Sequence, residues 1–414
     1  MKVYKFGGAS VKDAAAVKNV AEIIKASSDH HLLVVVSAMG KTTNALEEIV
    51  ERYFKNQAYQ ESIRKVFSYH EAIIRDLFNN PAPTLARLNE VMNQIKNNLD
   101  AALDYDQVYD QVVSQGEILA TLIVADFVST QTTTNWIDAR EYISTNSTYR
   151  EGKVDWETTR IKIQRLKPLL TTSAIITQGF IGRANNGLTT TLGREGSDYS
   201  AAIFASCLDA ESVTIWKDVP GVMNADPKRL PAAIVFPELP FQEAAEMTYY
   251  GASVIHPKTI KPLANANIPL YVNNFDDPSL TGTQIHACKV EHIPPLIVIK
   301  DNQCLISCKV TDYTFVSEDQ LSEIFKTLAE HDIKINMMQN SAITFSFCAD
   351  YRESKIRPLI EKLSQTFEVY YNTNLTLITI KNYTSKLSDE YRSKPGILLE
   401  QLSRSTLQIL VKLS

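Results

Sequence analysis

Apolar and polar positions take turns over "MKVYKF" (1–6) as they do in a strand, and the run ends on Gly7-Gly8. From Lys12, "KDAAAVKNVAEIIKAS" sets Ala16, Val20, Ile23 and Ile24 on one face of a helix. "HLLVVVSAMG" is the short continuous apolar run of a strand buried on both sides. Strand, glycine turn, helix and apolar strand together predict a βαβ unit. Residues 44–130 then turn helical: Leu85, Leu88, Met92, Ile95 and Leu99 recur at spacings of three and four, and "NNPAP" (79–83) separates that helix from the one before. Beyond this helical insertion the alternation resumes with "SAIITQGFIG", "GLTTTLG", a helix from Ser197 to Leu208, "SVTIWKDV" and, as the last clear strand of this part, "PLYVNNF" (269–275).

The pattern changes at "EHIPPL" (291–296). "CLISCKV" reads as a strand, and the helix from Glu318 carries Leu321, Ile324, Phe325, Leu328 and Ala329 on one face. "IKINMM" and "ITFSFC" are strands, the second with Ile343, Phe345 and Phe347 to one side, and "RESKIRPLIEKLS" is a helix. The order β-α-β-β-α is that of a ferredoxin-like unit. It begins again with "NLTLITIK", a shorter polar stretch, "GILLEQ" and "TLQILVK". The pattern therefore predicts an α/β domain over 1–290, with its insertion at about 44–130, and an α+β region over 295–414. Within that region one unit covers about 304–372 and a second, incomplete one about 373–414.

A length of 414 residues is ample for two cores, and 44% apolar with 21% charged residues is a soluble, globular composition. A net charge of −5 argues against a nucleic-acid partner. No uninterrupted run of about 18 apolar residues suggests a membrane span, and the start lacks the pattern of a secretory signal. Five cysteines, an odd number in a long chain, read as reduced, packed thiols of a cytoplasmic protein.

"GKTT" (40–43) follows an apolar strand, but a phosphate-binding P-loop needs glycine where Val35 stands, so that reading is set aside. "KFGGAS" (5–10) offers a lysine at a strand end, two glycines and Ser10 at a helix start: a compact anion site, or a glycine turn with a solvent lysine. "TTTLGREGSDYSA" (189–201) is denser. Gly193 and Gly196 can take positive φ, Ser197 or Asp198 can cap the next helix, and Arg194 offers a two-pronged fork to a carboxylate. Asp198 beside an anion site makes sense as a cap, a catalytic group or a metal contact. "WKDVPGVMNADPKR" (216–229) adds a strand end, a Pro-Gly turn and two more basic residues. Three glycine-bearing turns, each expected at the C-terminal end of a parallel strand, would converge on the sheet edge where open α/β folds bind ligands.

In this order, with "TQGFIG" among them and "EAAEMTYYGASVIHP" after them, these motifs resemble the aspartate kinases of the amino-acid-kinase superfamily over essentially the whole chain. The resemblance implies a three-layer amino-acid-kinase (carbamate-kinase-like) domain followed by ferredoxin-like ACT domains. It implies transfer of the γ-phosphoryl of ATP to the β-carboxylate of L-aspartate, the first step toward lysine, threonine and methionine. It implies that Lys5, Gly7, Gly8 and Ser10 hold the ATP phosphates and that Lys217, Asp218, Met223, Lys228 and Ser253 border the nucleotide. Aspartate falls to Thr43, Glu117, Phe180, Arg194 and Ser197, with Arg194 on a carboxylate and Glu117 near the ammonium. Lys5 and Asp198 are the implied catalytic pair, and Mg2+ arrives with the nucleotide phosphates rather than on protein ligands. No histidine is required, because the attacking β-carboxylate is already ionised at neutral pH. His256, in "VIHPK", is the one histidine near a motif and reads as a packing or hydrogen-bonding group.

Several positions depart from the family pattern: Ala9 for a frequent Thr, Met223 for Tyr, Lys228 for Arg and Ser253 for Lys. They bear on nucleotide contacts more than on activity. The ACT pair implies an amino-acid effector and a homodimer, with "PLIVIK" expected to pair with the final strands and complete the second unit. "YTFVSEDQ" and Asn336 stand where a glycine-rich loop and an aspartate are usual, which predicts weak or absent inhibition by lysine or threonine. Two other functions fit parts of the pattern: an amino-acid kinase with another acceptor, and a non-catalytic ACT sensor with a silent kinase domain. Glu117 and Arg194 favour a free amino acid, and the joint presence of Lys5, Arg194 and Asp198 disfavours the sensor.

Overall fold

The computed structural model describes residues 1–27, 31–251, 255–311 and 314–412. The chain forms two compact units: Met1–Val222, Val235–Ala245 and Ser253–Val290 make the first, and Met223–Ile234, Glu246–Ala252 and Glu291–Ser414 the second.

The chain opens with β1 (Lys2–Phe6), α1 (Ala14–Ala26) and β2 (Leu32–Val36). The insertion follows as α2 (Thr42–Phe54), α3 (Gln60–Leu77), α4 (Ala82–Leu99) and α5 (Tyr105–Ser129). Next come β3 (Thr134–Ile137), β4 (Ser144–Thr145), α6 (Trp156–Gln164), α7 (Lys167–Leu170), β5 (Ala174–Gln178), β6 (Ile181–Ala184) and β7 (Thr189–Thr191). Then α8 (Gly196–Leu208), β8 (Ser212–Lys217), β9 (Glu238–Pro240), α9 (Phe241–Tyr250), α10 (Pro257–Asn265), β10 (Leu270–Asn274) and β11 (Thr283–His286) complete the series.

The main sheet runs β3-β5-β2-β1-β8-β10-β11-β9. It is parallel from β3 to β10, β11 joins antiparallel to β10, and β9 lies parallel to β11. Every residue of β2 is buried, as the continuous apolar run requires of a strand covered on both faces. Because Phe6 is registered with both Val36 and Trp216, and Val36 with Gln178, the loops after β5, β2, β1 and β8 emerge side by side. That is the edge on which open parallel sheets bind ligands. α8 is buried along all but one of its positions, consistent with its nearly all-apolar sequence after the first turn. α5 is the one described helix long and apolar enough to cross a membrane, yet it is almost wholly buried inside the unit. Asp110, Gln111, Gln115 and Glu117 break its apolar run, and the capping box of Asp104 and Gln107 fixes its start.

Two sequence expectations change here. "SAIITQGFIG" is not one strand: β5 belongs to the main sheet, while β6 lies between β4 and β7 in a separate three-stranded sheet. The turn after β7 therefore does not end a parallel strand of the main sheet. The break falls at Phe180, whose φ of 70° turns the chain out of the extended conformation. β11 also lies beyond "PLYVNNF", and four residues were too few to show a period.

The second unit is built on β12 (Leu296–Lys309), α11 (Glu318–Glu330), β13 (Ile335–Asn340), β14 (Thr344–Asp350), α12 (Glu353–Leu363), β15 (Glu368–Lys381), α13 (Ser385–Arg392), β16 (Ile397–Leu402) and β17 (Thr406–Val411). Its sheet is antiparallel throughout, in the order β13-β14-β12-β15-β17-β16. β12 and β15 are long enough to serve both halves. One half packs Ile306, Phe345 and Phe347 against Ile324, Leu328, Ile356 and Leu359 of the two helices. The other packs Ile378, Ile380, Leu407 and Ile409 against Tyr391 of α13. "PLIVIK" joins that second half, but its register is Leu296↔Lys381 through Lys300↔Leu377: it pairs with β15, not with the final strands. β17 already has β15 on one side and β16 on the other, so no hydrogen-bonding edge remains there.

Candidate active site

A cleft of about 490 Å³ in the first unit brings together Lys5, Gly8, Thr43, Glu117, Phe180, Arg194, Ser197 and Asp198. These come from β1 and the loops after β1, β5 and β7, together with α2, α5 and α8, and Ala38 of the loop after β2 lines the same cleft. Gly8 is held there by space: a Cβ would lie 2.7 Å from the Ala38 carbonyl oxygen, so only glycine lets the β1 turn approach the β2 loop this closely.

Asp198 stands at the electrostatic centre. It is fully buried in the first turn of α8, with Lys5 Nζ 2.6 Å from one oxygen and Lys217 Nζ 3.5 Å from the other. Burial works against its charge, but the two ammonium groups prevail and hold the carboxyl below the ordinary aspartate value. Glu195 next to it is pushed up, by burial first and by Asp198, against the pull of the same lysines.

The helix start differs from the expected cap. α8 begins at Gly196, so Ser197 and Asp198 lie inside its first turn, and the N-cap position is Glu195, which makes no side-chain cap. The left-handed backbone falls on Gly193 (φ 75°) and Glu195 (φ 56°) rather than on Gly196. Gly196 serves the close approach of Phe180, whose ring would lie 2.5 Å from a Cβ there. The Phe180 N–H donates to Ser200 Oγ at 2.9 Å, which ties the β5 loop to α8.

Glu117 is also buried, and its Oε2 has no hydrogen-bond partner although the side chain lines the cleft. Desolvation raises its carboxyl to about 8, against the lowering pull of the Ala38 N–H and of Lys5. A buried, unsatisfied acceptor in an open cleft is a natural seat for a cationic group.

Sequence reading missed Arg150, Tyr109 and Glu195, all of which line the cleft. The Arg150 guanidinium lies over the Tyr109 ring at 4.3 Å, and the Tyr109 hydroxyl donates to Glu47 at 2.6 Å. Neighbouring Asp110 is buried and accepts from the Arg150 N–H, the Thr191 N–H and the Thr191 hydroxyl at 2.7–2.9 Å. Burial raises its carboxyl to about 6 in spite of those donors. One carboxylate thus pins α5, the 150 loop and β7, the strand that delivers Arg194. Its only sequence signal is an acid in an apolar helix.

Other expected residues fall elsewhere. Ser10 and Asp218 line a neighbouring hollow of about 350 Å³ with Lys12, Asp13 and Asp276. Gly7 sits near the Lys5 ammonium, 3.5 Å from where its Cβ would be. Met223 and Lys228 belong to the second unit, and Ser253 lies outside the described residues. His256 caps α10, its Nδ1 accepting from the Lys258 N–H at 3.2 Å.

A parallel sheet whose strand-end glycine turn meets a lysine-flanked, buried aspartate of α8 and a cationic fork after β7 has the parts of a phosphotransferase acting on a small acid. Residues 1–274 match the model of the amino acid kinase family. The chain is 31% identical, over 96% of its length and 90% of the relative's, to the lysine-sensitive aspartokinase 3 of Escherichia coli K12. It is 28% identical over 98% of its length to a bifunctional aspartokinase/homoserine dehydrogenase of Arabidopsis thaliana, of which it spans 47%. E. coli aspartokinase III in complex with aspartate and ADP (R-state) superposes with a TM-score of 0.83 at 30% identity, covering 99% of this chain and 96% of that one. The same enzyme with lysine and aspartate (T-state) gives 0.82 at 28% identity, covering 100% and 96%. The chain belongs to the amino acid kinase family, in its aspartokinase branch.

Proposed function

We propose that this aspartokinase uses the cleft of its first unit to transfer the γ-phosphoryl of ATP to the β-carboxylate of L-aspartate, giving 4-phospho-L-aspartate and ADP. The observation that carries the assignment of roles is Asp198, a buried carboxylate that holds two lysines beside Arg194 and the unsatisfied Oε2 of Glu117. Arg194 takes a substrate carboxylate through its fork, Glu117 takes the ammonium, and Thr43, Phe180 and Ser197 shape the pocket between them.

The nucleophile needs no base, so catalysis rests on alignment and on offsetting charge at the transferring group. Asp198 holds Lys5 and Lys217 in place before substrate arrives, and the Gly7-Gly8 turn gives the phosphates close access to backbone. Two lysines on one carboxylate, with a glycine turn whose Cβ atoms would fill the space, fit a polyphosphate. Mg2+ bound to that polyphosphate would neutralise further charge. Asp198, engaged by both lysines, orients them and is not assigned as a metal ligand. Ser10 and Asp218, in the adjoining hollow, are assigned to the nucleotide, as are Met223, Lys228 and Ser253 by resemblance alone.

Residues 1–290 are assigned as the catalytic domain and 295–414 as an ACT pair that forms a homodimer and receives an amino-acid effector. The Asn336 side chain supports a weak response: its amide donates to Gln303 and Asp350 and its oxygen accepts from Lys300, so it is already engaged. Five unpaired cysteines support a reducing, cytoplasmic location. ADP release by the purified protein with aspartate, glutamate or N-acetylglutamate tests the acceptor. Turnover with aspartate alone is expected; turnover with another acceptor, or with none, overturns the assignment.

A further inference from the structure

Away from the cleft, three metal-ligating side chains meet at the edge of the main sheet. Glu238 opens β9, His286 closes β11, and Cys288 follows two residues on. β9 is the edge strand and pairs in parallel with β11, with Glu238 opposite Gln284 and Pro240 opposite His286. Leu239 and Ile285, at the alternate positions, are fully buried. The two-residue period therefore turns Glu238 and His286 to the other face, and Cys288, just past the end of β11, lies beside them. Glu238 is exposed there and the other two are half-buried. His286 Nε2 lies 3.1 Å from Glu238 Oε2, and one carboxylate oxygen, one imidazole nitrogen and the Cys288 sulfur all lie within 4.8 Å of one another. Ligands around a tetrahedral zinc ion stand about 3.3–3.8 Å apart, so small side-chain rotations would close the set. The other four cysteines are buried; Cys288 alone is open to solvent.

We propose that Glu238, His286 and Cys288 form a site for a zinc-class divalent cation, with a fourth position left to water. Imidazole, thiolate and carboxylate together select borderline-soft ions over Mg2+ or Ca2+, which prefer oxygen ligands. Coordination releases the Cys288 thiol proton to solvent and leaves the imidazole proton on Nδ1. None of the three residues lines the catalytic cleft, so the site is separate from the kinase chemistry. Its effect is on the sheet edge. β9 is three residues long and has β11 as its one partner in the sheet, so a bridging ion would clip it in place.

Cobalt(II) titrated into the purified full-length protein, as a spectroscopic substitute for zinc, tests this. A thiolate-to-cobalt absorption saturating at one ion per chain is expected, displaced by Zn2+, weakened at least about tenfold by His286→Ala and abolished by Cys288→Ser. No such absorption in the wild type, or its survival in Cys288→Ser, overturns the site. Thiol labelling of the native protein gives an independent readout at Cys288. Zn2+ should slow labelling at least about tenfold in the wild type and, at the same Zn2+ concentration, slow it much less in His286→Ala. Equal rates with and without Zn2+ in the wild type would overturn the proposal.

Discussion

At the scale of single residues, the roles proposed for Arg194 and Glu117, which both line the cleft, make different demands. Loss of a charge-assisted fork is worth about 1.5–3 kcal/mol, so Arg194→Ala should raise the KM for aspartate about 10- to 100-fold while leaving that for ATP nearly unchanged. Steady-state kinetics with each substrate varied separately measures this. Glu117 brings a pH dependence. With its carboxyl at about 8, it is mostly protonated at neutral pH, yet the proposed contact with the substrate ammonium needs the carboxylate. Aspartate affinity should therefore fall as pH drops below about 8, by up to about tenfold per unit, and binding at pH 7 should release close to one proton. Calorimetry in buffers of different ionisation enthalpy reads that proton directly. The same shift has a stability sign. A carboxyl raised above its ordinary 4.5 favours the fold below that pH, and the contribution is lost as pH rises through about 8. Glu117→Gln should flatten the substrate-free stability profile across that window. That Lys5, Arg194 and Asp198 gather in one cleft was legible in the sequence, because charged residues beside glycine turns suggest an anion site. Arg150 and Tyr109 were not, since a loop and a helix distant in sequence bring them to the cleft.

At the scale of elements, the site depends on how tightly the sheet-edge loops meet. Gly8→Ala would drive a Cβ to 2.7 Å from the Ala38 carbonyl and push the β1 turn away from the β2 loop. A stability loss of about 1–3 kcal/mol and weaker ATP binding are expected, read by denaturant unfolding and nucleotide titration. Thr191→Val removes a hydroxyl from Asp110 and loosens β7, which carries Arg194 into place. The expected cost is about 1–2 kcal/mol of stability with a rise in the KM for aspartate larger than any change in that for ATP. β1, β2, β5, β8 and β10 of the main sheet and the helical insertion were legible because each is long enough to show its period, whereas β3, of four residues, was not. β4, β9 and β11, of two to four residues, are not, and their places follow from neighbours rather than from their own sequence. The start of α8 misled for a related reason. Ser197 and Asp198 have capping side chains, but the lysines on β1 and β8 claim Asp198, and the cap position passes to Glu195.

For the molecule as a whole, the catalytic reading and the regulatory reading separate cleanly, because each unit has its own core. The engagement of Asn336 by Gln303, Asp350 and Lys300 predicts that saturating lysine or threonine changes the activity less than about twofold. Strong inhibition by either would show that this polar cluster rearranges to accept an effector. The central claim is that an acyl phosphate forms on aspartate in the cleft around Asp198. It is tested most directly by incubating the protein with ATP, Mg2+, L-aspartate and hydroxylamine and quantifying aspartyl β-hydroxamate against ADP. The account predicts equal amounts of the two, with both reduced about 100-fold or more in Asp198→Asn. ADP release without hydroxamate, or hydroxamate formation undiminished in Asp198→Asn, would contradict it.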